Sequence, residues 1–355
     1  MLNKANRLYV FLWLTIISLF GLCTACNSGG HSPVAPANTY LNPVGDSTLR
    51  MGDPFVMQHD GKYYLYGTAG RDGFKCWSSD NLRDWTYEGY AFQETADSFG
   101  ESNYWAPEVI HYQGKFYMTY SCKPKDEAAY PDMMLICLAE SDSPTGPFTD
   151  KYAPWIDQGY SCIDAHIFVD DDTQPYVYFD RVGYIGKWPD GYMFGIIYAM
   201  QLDQKSLQPT GDTVRIAEAQ QEWENPQSDF SRCNEGAFVF KENGKYYLTY
   251  SANHWRDPFY GIGYATSDHP LGPWTKPADN PLVAKDSLRG IFGPGHNSFT
   301  RSPDGKELFM VYHTHVSHED KDRTVNIDRV SINEAGKLEI EGPTREPQPL
   351  PSGVE

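Results

Sequence analysis

The chain has 355 residues, 40% of them hydrophobic and 21% charged, which places it among globular proteins and excludes wholesale disorder and collagen-like repeats. Its 29 basic and 47 acidic residues leave a formal charge of -18, a field that repels phosphate backbones and anionic lipid headgroups and argues against nucleic acid as a partner. Aromatic content is high, with 25 Tyr, 18 Phe and 9 Trp, side chains that suit β-strands and also stack on weakly polar ligand faces such as sugars.

Lys4 and Arg7 precede an apolar run from Leu8 to Leu22, and small residues then lead to Cys26. This is the layout of a secretory signal rather than of a transmembrane span. Leu22-Cys23-Thr24-Ala25-Cys26 is similar to a bacterial lipoprotein cleavage box, with Cys23 departing from the usual small aliphatic residue. The expectation is a lipoprotein signal peptide over residues 1–25, a lipidated Cys26 as the membrane attachment, and a flexible Gly-, Ser-, Pro- and Ala-rich tether over residues 26–39. The protein is then exported, to the periplasm or the cell surface, with residues 40–355 forming a single domain. Cys76, Cys122, Cys137, Cys162 and Cys233 are odd in number and lack zinc-ligand spacing, so buried free thiols are expected.

Beyond the tether one phrase recurs five times: Gly61-Lys62-Tyr63-Tyr64-Leu65-Tyr66, then Gly114 to Tyr120, Gln174 to Phe179, Gly244 to Tyr250 and Gly305 to Tyr312. Each is an aromatic strand entered from a turn and preceded by a short apolar segment, the pattern of a β-hairpin. A third element, Ser79 to Trp85, Ser141 to Phe148 and Ser267 to Trp274, follows three of the hairpins and reads as a turn leading to an outer strand. No amphipathic helix of ten residues or more follows the signal. Five units, each long enough for a four-stranded sheet, predict an all-β fold, a five-bladed β-propeller with its active site in the central funnel.

In such a fold the innermost strands line the axis, so sequence-distant residues at the same end of each strand converge. The polar residues at or just before those strands are Asp53, Glu108, Asp164 with His166, Glu235, and His296 with Asn297. Charged groups beside apolar strands are costly unless paired or used. Two carboxylates facing each other across a ligand are what acid/base hydrolysis of an acetal requires: one protonated to serve the leaving oxygen, one ionised to activate water. A third acid holds a proton on the first by like-charge repulsion. Asp170-Asp171-Asp172 falls where a hairpin turn belongs and reads as solvated. His313, His315 and His318 alternate like a strand and do not read as a metal triad.

The series Asp53-Pro54-Phe55-Val56, Trp105-Ala106-Pro107-Glu108, Ile163-Asp164, Asn234-Glu235-Gly236-Ala237-Phe238 and Gly293-Pro294-Gly295-His296-Asn297-Ser298 resembles glycoside hydrolase family 43 over about Tyr40 to Glu341. The resemblance implies an inverting mechanism with Asp53 as general base, Asp164 as pKa modulator and orienter, and Glu235 as general acid. Inversion implies base and acid carboxyls roughly 6.5–9.5 Å apart. His296 matches a fifth-blade His that helps hold a water-coordinated calcium on the axis, and no organic cofactor is implied. Trp105 is the candidate sugar-facing wall, with Phe55 and Trp255 weaker candidates. Arg323, with Arg329 behind it, is the candidate to bind the terminal sugar, and Glu108 reads equally as a rim contact to substrate or a structural partner. The expected function is exo-acting release of terminal α-L-arabinofuranosyl or β-D-xylosyl residues from plant cell-wall oligosaccharides or polysaccharides. The alternatives are an endo-arabinanase, a galactose-specific exo-glycosidase, or a surface lipoprotein that binds glycan without cleaving it.

Overall fold

Each repeated phrase forms the second strand of an antiparallel sheet, and the apolar segment before it forms the first. The computed structural model describes residues 38–184, 193–225, 227 and 232–354. The signal-peptide and Cys26 readings lie outside these residues. After a short β1 (Thr39–Tyr40), blade I comprises β2 (Gly52–His59), β3 (Lys62–Thr68), β4 (Gly73–Ser79) and β5 (Thr86–Gln93). Blade II comprises β6 (Gly100–Tyr112), β7 (Lys115–Pro124), β8 (Leu135–Ser141) and β9 (Thr149–Ile156). Blade III comprises β10 (Cys162–Val169), β11 (Pro175–Tyr184), β12 (Met193–Leu202) and β13 (Pro209–Glu218). Blade IV holds β14 (Arg232–Glu242), β15 (Lys245–Ala252) and β16 (Gly261–Ser267), and blade V holds β17 (Gly295–Arg301), β18 (Leu308–His315), β19 (Arg323–Ile332) and β20 (Leu338–Ile340).

Blade IV departs from the expected four strands. Its outer position is filled by isolated bridges, Thr266 with Thr275 and Ile262 with Val283, and its inner strand touches blade III through a short parallel pairing of β12 with β14. Successive inner strands pack on one another, and β17 packs on β2, so the five sheets close into a ring: the fold is a five-bladed β-propeller. The C-terminal tail returns as β21 (Gln348–Pro349) to pair with β1.

Five aromatic cores lie between successive blades and account for most of the tyrosine. Between blades I and II, for example, Phe74, Phe92, Tyr104 and Tyr120 pack ring against ring, each fully or almost fully buried. Burying such a side chain stabilises by about 1.5–3 kcal/mol. Several buried tyrosine hydroxyls bond to a neighbouring blade: Tyr178 donates to the Pro270 carbonyl and Tyr63 to that of Arg301. The five cysteines beyond residue 75 are free and buried.

Candidate active site

Every inner strand is interrupted by a bulge at the same height. The register with the second strand slips between Gly52 and Phe55, Trp105 and Glu108, Ile163 and His166, Glu235 and Phe238, and Gly295 and Ser298. The first bulged residue in each case has a left-handed backbone: Asp53 (φ 54°), Ala106 (45°), Asp164 (58°), Gly236 (62°) and His296 (47°). Non-glycine residues adopt this conformation rarely, and such strain concentrates where a side chain must be re-aimed. Asp53, Asp164 and His296 therefore occupy equivalent bulge positions within their strands, rather than preceding them. Glu235 stands one residue earlier, level with Trp105, and Glu108 two residues later than the bulge of its blade.

A bulge frees a backbone N–H, and each is caught by the blade before. Thr68 Oγ accepts from Ala106, Ser121 Oγ from Asp164, Asp180 Oδ2 from Gly236, Ser251 Oγ from His296, and His313 Nδ1 from Asp53, at 2.7–3.1 Å. The five acceptors are themselves equivalent, paired across the sheet with Gly52, Trp105, Ile163, Glu235 and Gly295. The fivefold ring of latches fixes the bulges and hence the directions of the acids.

Asp53 sits among cations and donors. Arg323 Nη1 donates to its Oδ1 at 2.8 Å, Thr68 Oγ to its Oδ2 at 2.6 Å, and His296 Nδ1 and His313 Nδ1 lie 3.4 and 3.6 Å from Oδ1. Burial alone would raise its pKa, but Arg323 first, with His296 and the Thr68 bond, outweighs burial and holds the carboxyl well below the usual range. Burial, then Arg323, push His313 well below the ordinary histidine value, so it is neutral; Nδ1 accepts from Asp53 and the proton is on Nε2. Gly52 is required here, because a Cβ would lie 1.7 Å from Arg323 Cζ.

The other side of the funnel is a crowd of acids. Asp164 and Asp180 are buried and within hydrogen-bonding reach of one another, and Glu235 is close to both. Burial, then repulsion from neighbouring carboxylates, push Asp164 and Asp180 well above the usual range. Tyr260 OH donates to Glu235 Oε1 at 2.8 Å, and the Cys233 thiol lies 3.4 Å from Oε2. Tyr260 reaches Glu235 over Gly295, where a Cβ would come within 1.9 Å of its ring. The two glycines on the axis thus admit the two side chains that hold Asp53 and Glu235. Sequence reasoning missed Thr68, Asp180, Tyr260 and His313; the polar residue closing each aromatic phrase was the available signal for all but Tyr260.

His296 joins the two halves: its Nδ1 is 3.4 Å from Asp53 and 3.9 Å from Asp164 Oδ2, and its ring packs over Gly236. Calcium takes six to eight oxygen ligands. Among the described residues no three His, Cys, Asp or Glu side chains converge on a common metal position, and His296 faces carboxylates through Nδ1. Protein side chains alone do not complete a calcium shell, so a calcium at His296 would draw most of its oxygens from water, and no step is routed through one.

Trp105 is 37% exposed at the level of Glu235. Phe55 is only 7% exposed and packs with Phe238. The Glu108 carboxylate lies 2.7 Å from His166 Nδ1, and both residues are buried. Trp255 supports the Arg323 guanidinium at 5.0 Å from its ring. Arg329 binds Glu307 and the carbonyls of Pro349 and Leu350, tying down the tail. Asp170 is not simply solvated: it bonds Lys241 and the Tyr246 hydroxyl of blade IV. His315 Nε2 donates to the Trp255 carbonyl at 2.8 Å, away from His318, which pairs with Glu319.

The model for "Glycosyl hydrolases family 43" matches residues 40–338, most of the chain. The chain belongs to this family. A solved thermostable family-43 glycoside hydrolase is 46% identical, with a TM-score of 0.83, over 89% of this chain and 100% of that one. The family-43 chain is also 30% identical to a β-D-galactofuranosidase of Aspergillus niger, over 81% of each sequence. An extracellular exo-α-(1→5)-L-arabinofuranosidase of Streptomyces avermitilis is 25% identical over 87% of this chain and 63% of that protein. The protein is therefore a family-43 glycoside hydrolase whose substrate is carbohydrate.

Proposed function

We propose that this family-43 hydrolase is an exo-acting, inverting glycosidase that releases terminal α-L-arabinofuranosyl or β-D-xylosyl residues from plant cell-wall glycans. The observation that carries the reading is the opposite electrostatic dressing of the two sides of the funnel. Asp53, held ionised by Arg323 and Thr68, is suited to take a proton from water. Glu235, buried beside Asp164 and Asp180 and held by the Tyr260 hydroxyl at 2.8 Å, is suited to give one to the leaving oxygen. Water activated by Asp53 attacks the anomeric carbon while Glu235 protonates the glycosidic oxygen, so the configuration inverts in one displacement. Asp164, through its bulge, orients the acid half, and Trp105 offers a face on which a sugar ring stacks.

Furanosides are favoured within this class, because the Aspergillus and Streptomyces relatives both carry furanosidase names and α-L-arabinofuranose and β-D-galactofuranose share their ring configuration. Export agrees with the signal-like N-terminal sequence and with the extracellular Streptomyces relative. Proton NMR of fresh enzyme on arabino-oligosaccharides and arabinose-decorated xylo-oligosaccharides tests the reading. The expected first product is a single pentose of inverted anomeric configuration, absent with Asp53→Asn. Retained configuration, equal release by the variant, or internal cleavage would overturn it.

A further inference from the structure

Four of the five latch positions offer the neighbouring bulge N–H a neutral acceptor. Thr68, Ser121 and Ser251 provide a hydroxyl and His313 a neutral imidazole nitrogen. Asp180 alone is a carboxyl there, fully buried at 0% exposure. A hydroxyl would satisfy the Gly236 N–H without the cost of a buried acid. The carboxyl therefore asks for a second purpose.

Its second oxygen supplies one. Oδ2 accepts from Gly236, the residue after Glu235, at 2.7 Å; Oδ1 is buried and meets no ordinary donor among the described residues. The group within hydrogen-bonding reach is the Asp164 carboxyl. Two carboxyls bond to each other only when one carries a proton, and like charges at such range do not both ionise. Among the described residues, the other titratable groups that face the pair include Glu235, Glu108, Asp53, Cys162 and Cys233, and the His296 imidazole, whose Nδ1 lies 3.9 Å from Asp164 Oδ2.

We propose that Asp180 is a positioning residue of the acid half: it shares one proton with Asp164, so that the pair keeps a single negative charge beside Glu235 while its other oxygen anchors the Glu235 bulge. The inference rests on Glu235 being the general acid. A lone buried Asp164 would take the proton for itself, and the charge that favours a protonated Glu235 would vanish. With Asp180 present the proton is divided between two carboxyls and the charge remains.

Asp180→Ser keeps a latch of the kind found in blades II and IV and removes the proton-sharing carboxyl. Asp180→Asn keeps the acceptor for Gly236 and offers an N–H to an ionised Asp164. The expected result is that the basic limb of the kcat/KM profile of Asp180→Ser moves down by about one pH unit or more, with about tenfold lower kcat/KM above the limb. Asp180→Asn restores most of this loss, and both variants melt cooperatively. Superimposable profiles for wild type and Asp180→Ser, or an equal loss in Asp180→Asn, would overturn the proposal. Glu235→Gln in parallel separates the failures: full activity there sinks the general-acid reading itself, whereas an inactive Glu235→Gln beside a silent Asp180→Ser sinks the shared proton alone.

Discussion

Asp53 and Asp164 sit on the same backbone device, a left-handed bulge in an inner strand, and both are nearly buried, yet they are driven in opposite directions. Asp53 meets Arg323 at 2.8 Å and a Thr68 hydroxyl; Asp164 meets Asp180 and Glu235. The lesson is that the repeat supplies direction while the neighbours on the second and third strands supply charge. A fivefold scaffold becomes a two-sided acid/base site without any change to its backbone plan.

The most severe way to break this contrast is to remove its two poles. Asp53→Asn and Glu235→Gln are each expected to lower kcat/KM by about 10²–10⁴-fold. They should differ in one respect: the Glu235→Gln loss shrinks on an aryl glycoside whose leaving group needs no proton, whereas the Asp53→Asn loss does not. Steady-state kinetics on paired substrates of good and poor leaving ability checks this, and equal losses on both would contradict the assignment. Next in size is Arg323→Ala, which strips the base of its cation. The Asp53 carboxyl then rises toward the ordinary range, so the acid limb of kcat/KM should move to higher pH, with about 10–100-fold loss below it.

Stability sharpens the comparison with opposite signs. Asp53 has a depressed folded pKa, so its contribution is present above the unfolded value of 3.8 and lost as pH falls. His313 is also depressed: below about its ordinary 6.5 the unfolded chain binds a proton that the folded one refuses, and stability again falls with pH. Asp164 and Asp180 are raised, so their contribution is present below 3.8 and lost as pH rises. Melting temperatures against pH should therefore show Asp180→Asn gaining stability over wild type at neutral pH and losing that gain near pH 3. Arg323→Ala should be destabilised at neutral pH and converge on wild type in acid. The smallest effect belongs to a latch without charge. Ser121→Ala leaves the buried Asp164 N–H unpaired, at a cost of about 1–3 kcal/mol in denaturant unfolding.

The blades were legible because each aromatic phrase combines a two-residue period with a Gly or Asp turn, both local signals. Asp53, Asp164 and Glu235 were legible as acids placed beside those strands. Their exact heights were not, because a bulge inserts a residue and turns the alternation over, so that Glu108 meets His166 and Phe55 meets Phe238. Blade IV lacked its fourth strand for a similar reason: Thr275 begins where an outer strand is expected, but only isolated bridges follow. The latches were hidden by distance, since His313 serves an acid 260 positions away. Aligning the ends of the five phrases would have exposed them: Thr68, Ser121, Asp180, Ser251 and His313 each follow the last aromatic residues.

The latches run one way round, each blade holding the next, and the final one joins His313 of the last blade to Asp53 of the first. During synthesis Asp53 is the first of the acids to emerge, yet Arg323, His296 and His313 are made near the end. A nascent chain that has completed four blades therefore has its acid half assembled and its base unarmed. With Asp53 as the proposed base, the groups that hold it ionised are complete only with the last blade, so hydrolysis would report ring closure.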